Sequence, residues 1–193
     1  MVSLEEAVTG LLAAVLIGTP LGLLMGWYKG FDRFVSPIFE LVRPIPPIAW
    51  IPLMIVWVGI GLTARAIIIF AAAFVPCVIN SYTGIKSTSR VHINVAKTFG
   101  ASNFQMFRKV GVPSSMPMAF AGMRVALSSA WATLVAAELL ASNAGLGYMI
   151  TMGRQLVRTD LIVLGMFIIG VLGFIFTAVF GKIENIVVKW RTV

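Results

Sequence analysis

The sequence predicts an all-α membrane protein with five crossing helices, on three observations. Of 193 residues, 59% are hydrophobic and 11% charged, and the mean hydropathy is +0.97; a soluble domain carries roughly 25% charge. The charges leave neutral runs at 7–28, 44–64, 66–85 and 161–181, of 22, 21, 20 and 21 residues. About 20 apolar residues cross the hydrocarbon core. The one long polar interruption, 83–115, carries five basic residues and no acid, and a basic excess beside spans marks the cytoplasmic side.

The first run follows an acidic flank, Glu5-Glu6, whereas a secretory signal has a basic one. It carries Gly18, Gly22, Gly26 and Gly30, whose four-residue spacing predicts a flat strip for close helix packing. The connection 28–44, with three basic residues and two acids, is expected inside. The second run opens on RPIPPIAWIPL, with Pro44, Pro46, Pro47 and Pro52. Proline removes a donor and pushes its predecessor out of the helical region, so the helix is expected near Ile48 after an extended approach. That segment, with Trp50 and Pro52, is either the inner mouth of a pathway or a stiff connector.

By alternation, the first span runs inward, 45–60 outward and 66–82 inward. Span 118–140 then runs outward and 161–181 returns to an inside, net basic carboxyl end, Lys182 to Arg191. Span 118–140 contains Arg124 and Glu138. Ionisable groups inside a span point to function by default, although packing is an equal alternative. Fourteen residues apart, about 20 Å along a helix, the two must each find a partner elsewhere. The external stretch 141–150, with Gly145 and Gly147, is too apolar for an exposed loop and too short to cross. It predicts a helix on, or dipping into, the outer face, as a gate or a cap.

The composition also excludes function classes. One cysteine, Cys77, rules out an internal disulfide or CxxC site, and the lone His92 has no metal-binding partner at helical spacing. No paired carboxylates or nucleophile triad suggests a membrane-embedded enzyme. The net charge of +8 follows the positive-inside bias, so no nucleic-acid partner is expected. No GxxxxGK[ST] phosphate loop is present, so the chain is not an ATP-binding subunit.

The basic loop has an internal pattern. Val91, Val95 and Phe99 form one apolar stripe of a short helix. Gly100 follows where a left-handed turn would end it. Ser102 and Gln105 form a capping box for a second helix through Phe104 and Phe107, stopped by Gly111 and Pro113. Helix, glycine turn, helix makes a rigid cytoplasmic knob suited to a soluble partner; an amphipathic hairpin on anionic lipid is the other reading.

Asn94-Val95-Ala96, then Gly100, then Val110-Gly111-Val112-Pro113 resemble the EAA motif of ABC-importer permeases, EAA-xxx-G-x9-I-x-LP, at matching spacing throughout. The chain departs from it at Asn94, where the family most often has Glu, and with Val at 110 and 112. Further blocks, Leu41 to Leu53, Trp57 to Gly61, Thr98 to Ser102, Ala130 to Glu138 and Gly145 to Tyr148, resemble the branch that carries taurine, sulfonates, nitrate and bicarbonate. Similarity covers about 7–191, and taurine and sulfonate permeases look most alike.

The resemblance implies a type I importer permease fold: one domain over 1–193 with a core at about 7–187, and 83–115 as the cytoplasmic coupling loop. Such permeases usually have one more span before residue 7. Asn94, Val95, Ala96, Lys97, Gly100, Ala101, Ser102, Val110 and Pro113 would contact or shape the contact with an ATPase. Trp50, Pro52, Trp131, Glu138, Gly145 and Gly147 are candidates for path or gate. The implied partners are an ATPase dimer holding ATP and Mg, a second permease copy and a periplasmic or lipid-anchored binding protein. The implied location is the bacterial inner membrane, and the chain itself would hold no cofactor and catalyse nothing. The rival reading is an ATP-independent transporter or channel.

Overall fold

The computed structural model describes residues 2–142 and 144–187. Asn143, the terminal Lys189, Trp190 and Arg191, and the side chains of Glu5 and Glu6 lie outside the described residues. Among the described residues every regular element is helical. In chain order these are α1 (Val2–Trp27), α2 (Lys29–Val42), a 3-10 turn (Pro47–Trp50), α3 (Ile51–Val58), α4 (Leu62–Lys86) and α5 (Arg90–Thr98). There follow α6 (Asn103–Met106), a π turn (Phe107–Gly111), α7 (Val112–Ala141), α8 (Leu146–Gln155) and α9 (Thr159–Val187). Among the described residues four helices are long and apolar enough to cross a membrane, or five if the pair 29–42 with 47–58, bent by 76°, counts as one broken span.

That broken span corrects the expectation of one crossing over 44–64. Helix begins again at Lys29 and runs to Val42, so most of the stretch expected as a connection at 28–44 is itself helical. The prolines explain the break. Pro46 is extended at φ −59°, ψ 133°, and Pro47 starts a four-residue 3-10 turn. Pro52 sits in the first turn of α3, where its missing N–H is harmless. The eight residues of α3 end at Gly59, whose φ of +86° only glycine adopts cheaply.

Helix pairing agrees with the alternation read from charge. α1 and α4 run parallel: Gly10 lies against Ala66 and Ile69, Gly18 against Phe74 and Cys77, Gly26 against Tyr82 and Ile85. α7 runs against α4, since Gly84 meets Ser115 and Gly122 meets Pro76. α9 runs against α7, with Phe120 on Phe180 at 6.1 Å and Trp131 on Phe176 at 5.1 Å between ring centroids. The glycine strip therefore serves the α1–α4 seam. Gly30 is the exception, lying in α2 with no neighbour within 4 Å.

Where α1, α4 and α7 meet, the core is built of Ala14, Ile69, Ala73, Cys77, Ala126, Ala130 and Leu134. Lipid tails are as apolar as leucine, so burying large side chains gains little there. Small residues bring backbones close enough for dispersion contacts instead. α9 is different: only 6% of its apolar stretch is buried, against 33–39% for the other three long helices. Its outer face suits lipid.

A second correction concerns Gly111 and Pro113. They do not stop the second cytoplasmic helix, because residues 103–140 form one 38-residue helix. A proline clashes with the carbonyl four residues back and gives it no N–H. The wide π turn at Phe107–Gly111 absorbs that misfit just before Pro113.

Candidate functional site

The helix–glycine–helix knob has the local chemistry its sequence dictates. α5 ends in a Schellman turn: Gly100 N–H donates to Lys97 O at 2.9 Å and Ala101 N–H to Ala96 O at 3.0 Å. Gly100 takes φ +73° to allow it. The capping box closes both ways, Gln105 N–H on Ser102 Oγ at 3.3 Å and Ser102 N–H on Gln105 Oε1 at 2.9 Å. Lys97, Ala101 and Ser102 are thus fixed in one short corner, with Val110 in the π turn and Pro113 in the first turn of α7 beneath it.

No residue of α5 is buried. Val91, Val95 and Phe99 are 67%, 50% and 86% exposed, and Phe104 on α6 is 62% exposed. The apolar stripe therefore points away from the bundle. Asn94 stands exposed beside it, its carbonyl accepting from Thr98 Oγ1 at 3.1 Å. His92, on α5, is exposed too.

The base of the knob is held to α1, a feature the sequence reading missed. Trp27 Nε1 donates to Asn103 Oδ1 at 3.1 Å. Trp27 and Tyr28 each lie 5.8 Å from the Phe107 ring. A Cβ on Gly111 would come within 2.7 Å of the Trp27 ring, so that glycine is needed for the ring to seat. The signal available was Trp27-Tyr28 at the end of a span, where amphipathic aromatics mark the interface.

At the other end of the bundle three of the candidate gate residues meet. Glu138 is 1% exposed, and its Oε2 accepts from Gly147 N–H at 2.8 Å. That N–H belongs to the first turn of α8, so the carboxylate caps a helix start and meets its dipole. Gly145, at φ +113°, leaves room for the carboxylate: a Cβ there would lie 2.4 Å from Oε1. Gly147 lets α8 lie on the last turns of α7, where a Cβ would be 2.8 Å from Val135 O. The segment 145–155 thus folds back along α7, and Thr151 Oγ1 donates to Leu139 O at 3.2 Å. Arg65 reaches the same corner, donating to Ser142 Oγ at 3.0 Å.

The other candidates lie apart. Trp50 is half-buried in the 3-10 turn and Pro52 exposed on α3. Trp131 sits in the α7–α9 seam against Phe176 and Gly173. Arg124 finds its partner on α9, an ion pair with the buried Glu184. Among the described residues no group of three or more His, Cys, Asp or Glu side chains could hold a metal.

Residues 18–191 match the family described as "Binding-protein-dependent transport system inner membrane component". A putative ABC transporter permease of Methanocaldococcus jannaschii is 39% identical over 192 residues, covering 99% of this chain and 72% of that protein. The taurine transport system permease protein TauC of Escherichia coli is 36% identical over 189 residues, covering 98% and 69%. Among solved structures, an inward-facing MetNI methionine ABC transporter superposes with a TM-score of 0.77 at 22% identity, over all of this chain and 94% of that one.

Proposed function

Because the chain belongs to the family of inner-membrane components of binding-protein-dependent transport systems, we propose that it is the subunit through which a small sulfonate-type anion, taurine or a relative, is imported. The chain is an ABC-importer permease subunit, a multi-pass cell-membrane protein that works with an ATPase and a substrate-binding protein. The sulfonate assignment draws on the similarity to TauC and on the blocks from Leu41 to Tyr148 that resemble the sulfonate and nitrate branch.

The reading of the knob rests on one observation: Val91, Val95 and Phe99 stand exposed in water on a helix whose turn is locked by four hydrogen bonds. An apolar ridge on a stiff mount is a docking element, and the partner with the need for it is the ATPase. Asn94 and Lys97 flank the ridge and choose the register. Two copies of this chain would place two knobs on an ATPase dimer that carries ATP and Mg. Glu138, Gly145 and Gly147 fix the outer gate segment, and Trp50 and Pro52 mark the bend beside the path.

Co-purification with the ATPase tests this. Each buried apolar anchor contributes on the order of 1.5–3 kcal/mol, so Val95→Ser with Phe99→Ser should weaken retention of the ATPase at least ten-fold. Retention equal to wild type would refute the docking role. Binding-protein-stimulated hydrolysis with taurine, and none with sulfate or nitrate, is the expected substrate result.

A further inference from the structure

α2 carries an unusual arrangement. Its exposed apolar residues, Phe31, Phe34, Ile38 and Leu41, fall on one stripe. Its polar residues, Asp32, Ser36, Glu40 and Arg43, fall on the opposite stripe and line cavities shared with the bundle. An amphipathic helix of a soluble protein does the reverse, and a helix with lipid outside and a wet cleft inside does this.

The depth of that cleft follows from pairings along α4. Tyr82 Oη donates to Asp32 Oδ2 at 3.1 Å, Phe39 faces Phe74 at 6.4 Å, and Ile51 packs on Ile68. The segment therefore climbs along α4 and does not lie flat at the surface. Arg43 lines a cavity of about 240 Å³ with Glu40, Ile79 and Tyr82. It also lines one of about 540 Å³ with Ile79, Asn80, Ser129 and Thr133. Ile79 is seven residues, about 10 Å, deeper than Lys86. Arg43 is ion-paired to Glu40 at 2.9 Å, and both side chains are about half exposed. A half-exposed charge pair at that depth is too costly against lipid and requires water.

We infer that Arg43, with the Ser129 and Thr133 hydroxyls that line the same cavity, forms a transient oxyanion site on the translocation path. The inference rests on the import reading above and adds the residue that touches the passenger. Among the described residues neither hydroxyl makes a hydrogen bond, so both can donate to an oxyanion. Guanidinium gives a planar pair of donors matched to sulfonate, nitrate or carboxylate oxygens.

Two measurements on the assembled transporter test it. In proteoliposomes with the ATPase and binding protein, uptake of labelled taurine, nitrate and sulfate is compared for wild type, Arg43→Gln, Arg43→Lys and Glu40→Gln. Expected are at least ten-fold lower uptake in Arg43→Gln with stimulated ATP hydrolysis retained, an intermediate uptake in Arg43→Lys, which keeps the charge but not the planar pair of donors, and no loss in Glu40→Gln. If the ion pair were merely structural, Glu40→Gln would fail together with Arg43→Gln, and that result overturns the inference. Wild-type-like uptake in Arg43→Gln overturns it alone, whereas wild type carrying none of the three anions overturns the import reading with it. The second measurement needs no transported substrate. Ser129→Cys is labelled with an anionic (ethylsulfonate) or a cationic (trimethylammonium) methanethiosulfonate. The anionic-to-cationic rate ratio should drop several-fold when Arg43→Gln is added. An unreactive cysteine, or an unchanged ratio, places the groove in lipid or Arg43 away from it.

Discussion

Gly100 offers the sharpest test of the knob, because its environment separates strain from contact. Its φ is +73° and no heavy atom lies within 4 Å of where a Cβ would stand. A side chain there meets open space, so the cost is backbone strain alone. An L-residue in the left-handed region costs roughly 1–2 kcal/mol. Gly100→Ala should therefore shift the turn's folded population about 5–30-fold, which a locked turn tolerates in part. Gly100→Asn should recover some of that loss, since asparagine accepts the left-handed region. Gly100→Pro is a different perturbation. Its φ is fixed near −65°, about 140° from the native value, and the 2.9 Å bond to Lys97 O disappears. It also disfavours the native φ −82°, ψ 10° of Phe99, the residue before it. The combined cost is about 3 kcal/mol or more, enough to melt the corner. The assay is binding-protein-stimulated ATP hydrolysis by the purified complex. The expected order is wild type, then Asn, Ala and Pro, with only Pro abolishing stimulation. If Ala and Asn were as damaging as Pro, the argument from strain would be wrong and the space above Gly100 would be filled by a partner. A fully active Pro variant would refute the coupling role of the turn.

Other predictions follow from close contacts. A Cβ on Gly22 would lie 2.3 Å from Val78 O, so Gly22→Ala must push α1 off α4. A loss of about 1–3 kcal/mol, read as a lower melting temperature in detergent, is expected, whereas Gly30→Ala should be neutral or slightly stabilising because nothing lies near it. At the outer clamp, Glu138→Ala leaves the Gly147 N–H without its acceptor and should cost about 1–3 kcal/mol. Protease access to the 145–155 segment should rise in that variant and much less in Glu138→Gln, which keeps an oxygen. Gly145→Ala, which places a methyl 2.4 Å from Glu138 Oε1 at a φ of +113°, should open the segment at least as far.

What the sequence disclosed was governed by range. The Schellman turn and the capping box are made of contacts no more than five residues apart, so Gly100, Ser102 and Gln105 announced them. The α1–α4 seam was half legible: four-residue glycine spacing told of a close neighbour, but not that the neighbour was α4, nor that Gly30 falls past a break at Tyr28. The broken second span was misread for a physical reason. Counting neutral runs assumes that charge lies outside the bilayer, and the segment from α2 to Arg43 violates the assumption by turning Asp32, Glu40 and Arg43 toward cavities shared with the bundle. The Trp27–Asn103 bond joins residues 76 apart, and no local pattern encodes it. Glu138 was legible as an oddity, but its partner had to come from the fold-back of α8.

The continuity of residues 103–140 gives the two ends of the candidate site a common mechanical fate. One helix of 38 residues, about 57 Å long, carries Phe104 and the capped corner at one end and Glu138 at the other. A push on α5 reaches this rod through the Gly100–Ser102 corner, while Trp27 and Tyr28 grip Phe107 and transmit the same push to α1. The rod lies against α4 along much of its length, with Gly84 on Ser115 and Met118, Gly122 on Pro76 and Asn80, and Ala126, Ala130 and Leu134 in the shared core, a contact of mostly small residues. As one helix, the rod would carry a displacement at its Phe104 end to Glu138, and with it to Gly147 and α8. The π turn just above the corner loosens the rod's hydrogen-bond ladder, as do Pro113 and Pro117, which give no N–H. A broken chain, with the helix stopped at Gly111 as its sequence suggested, could not do this; the outer clamp would then be mechanically separate from the knob.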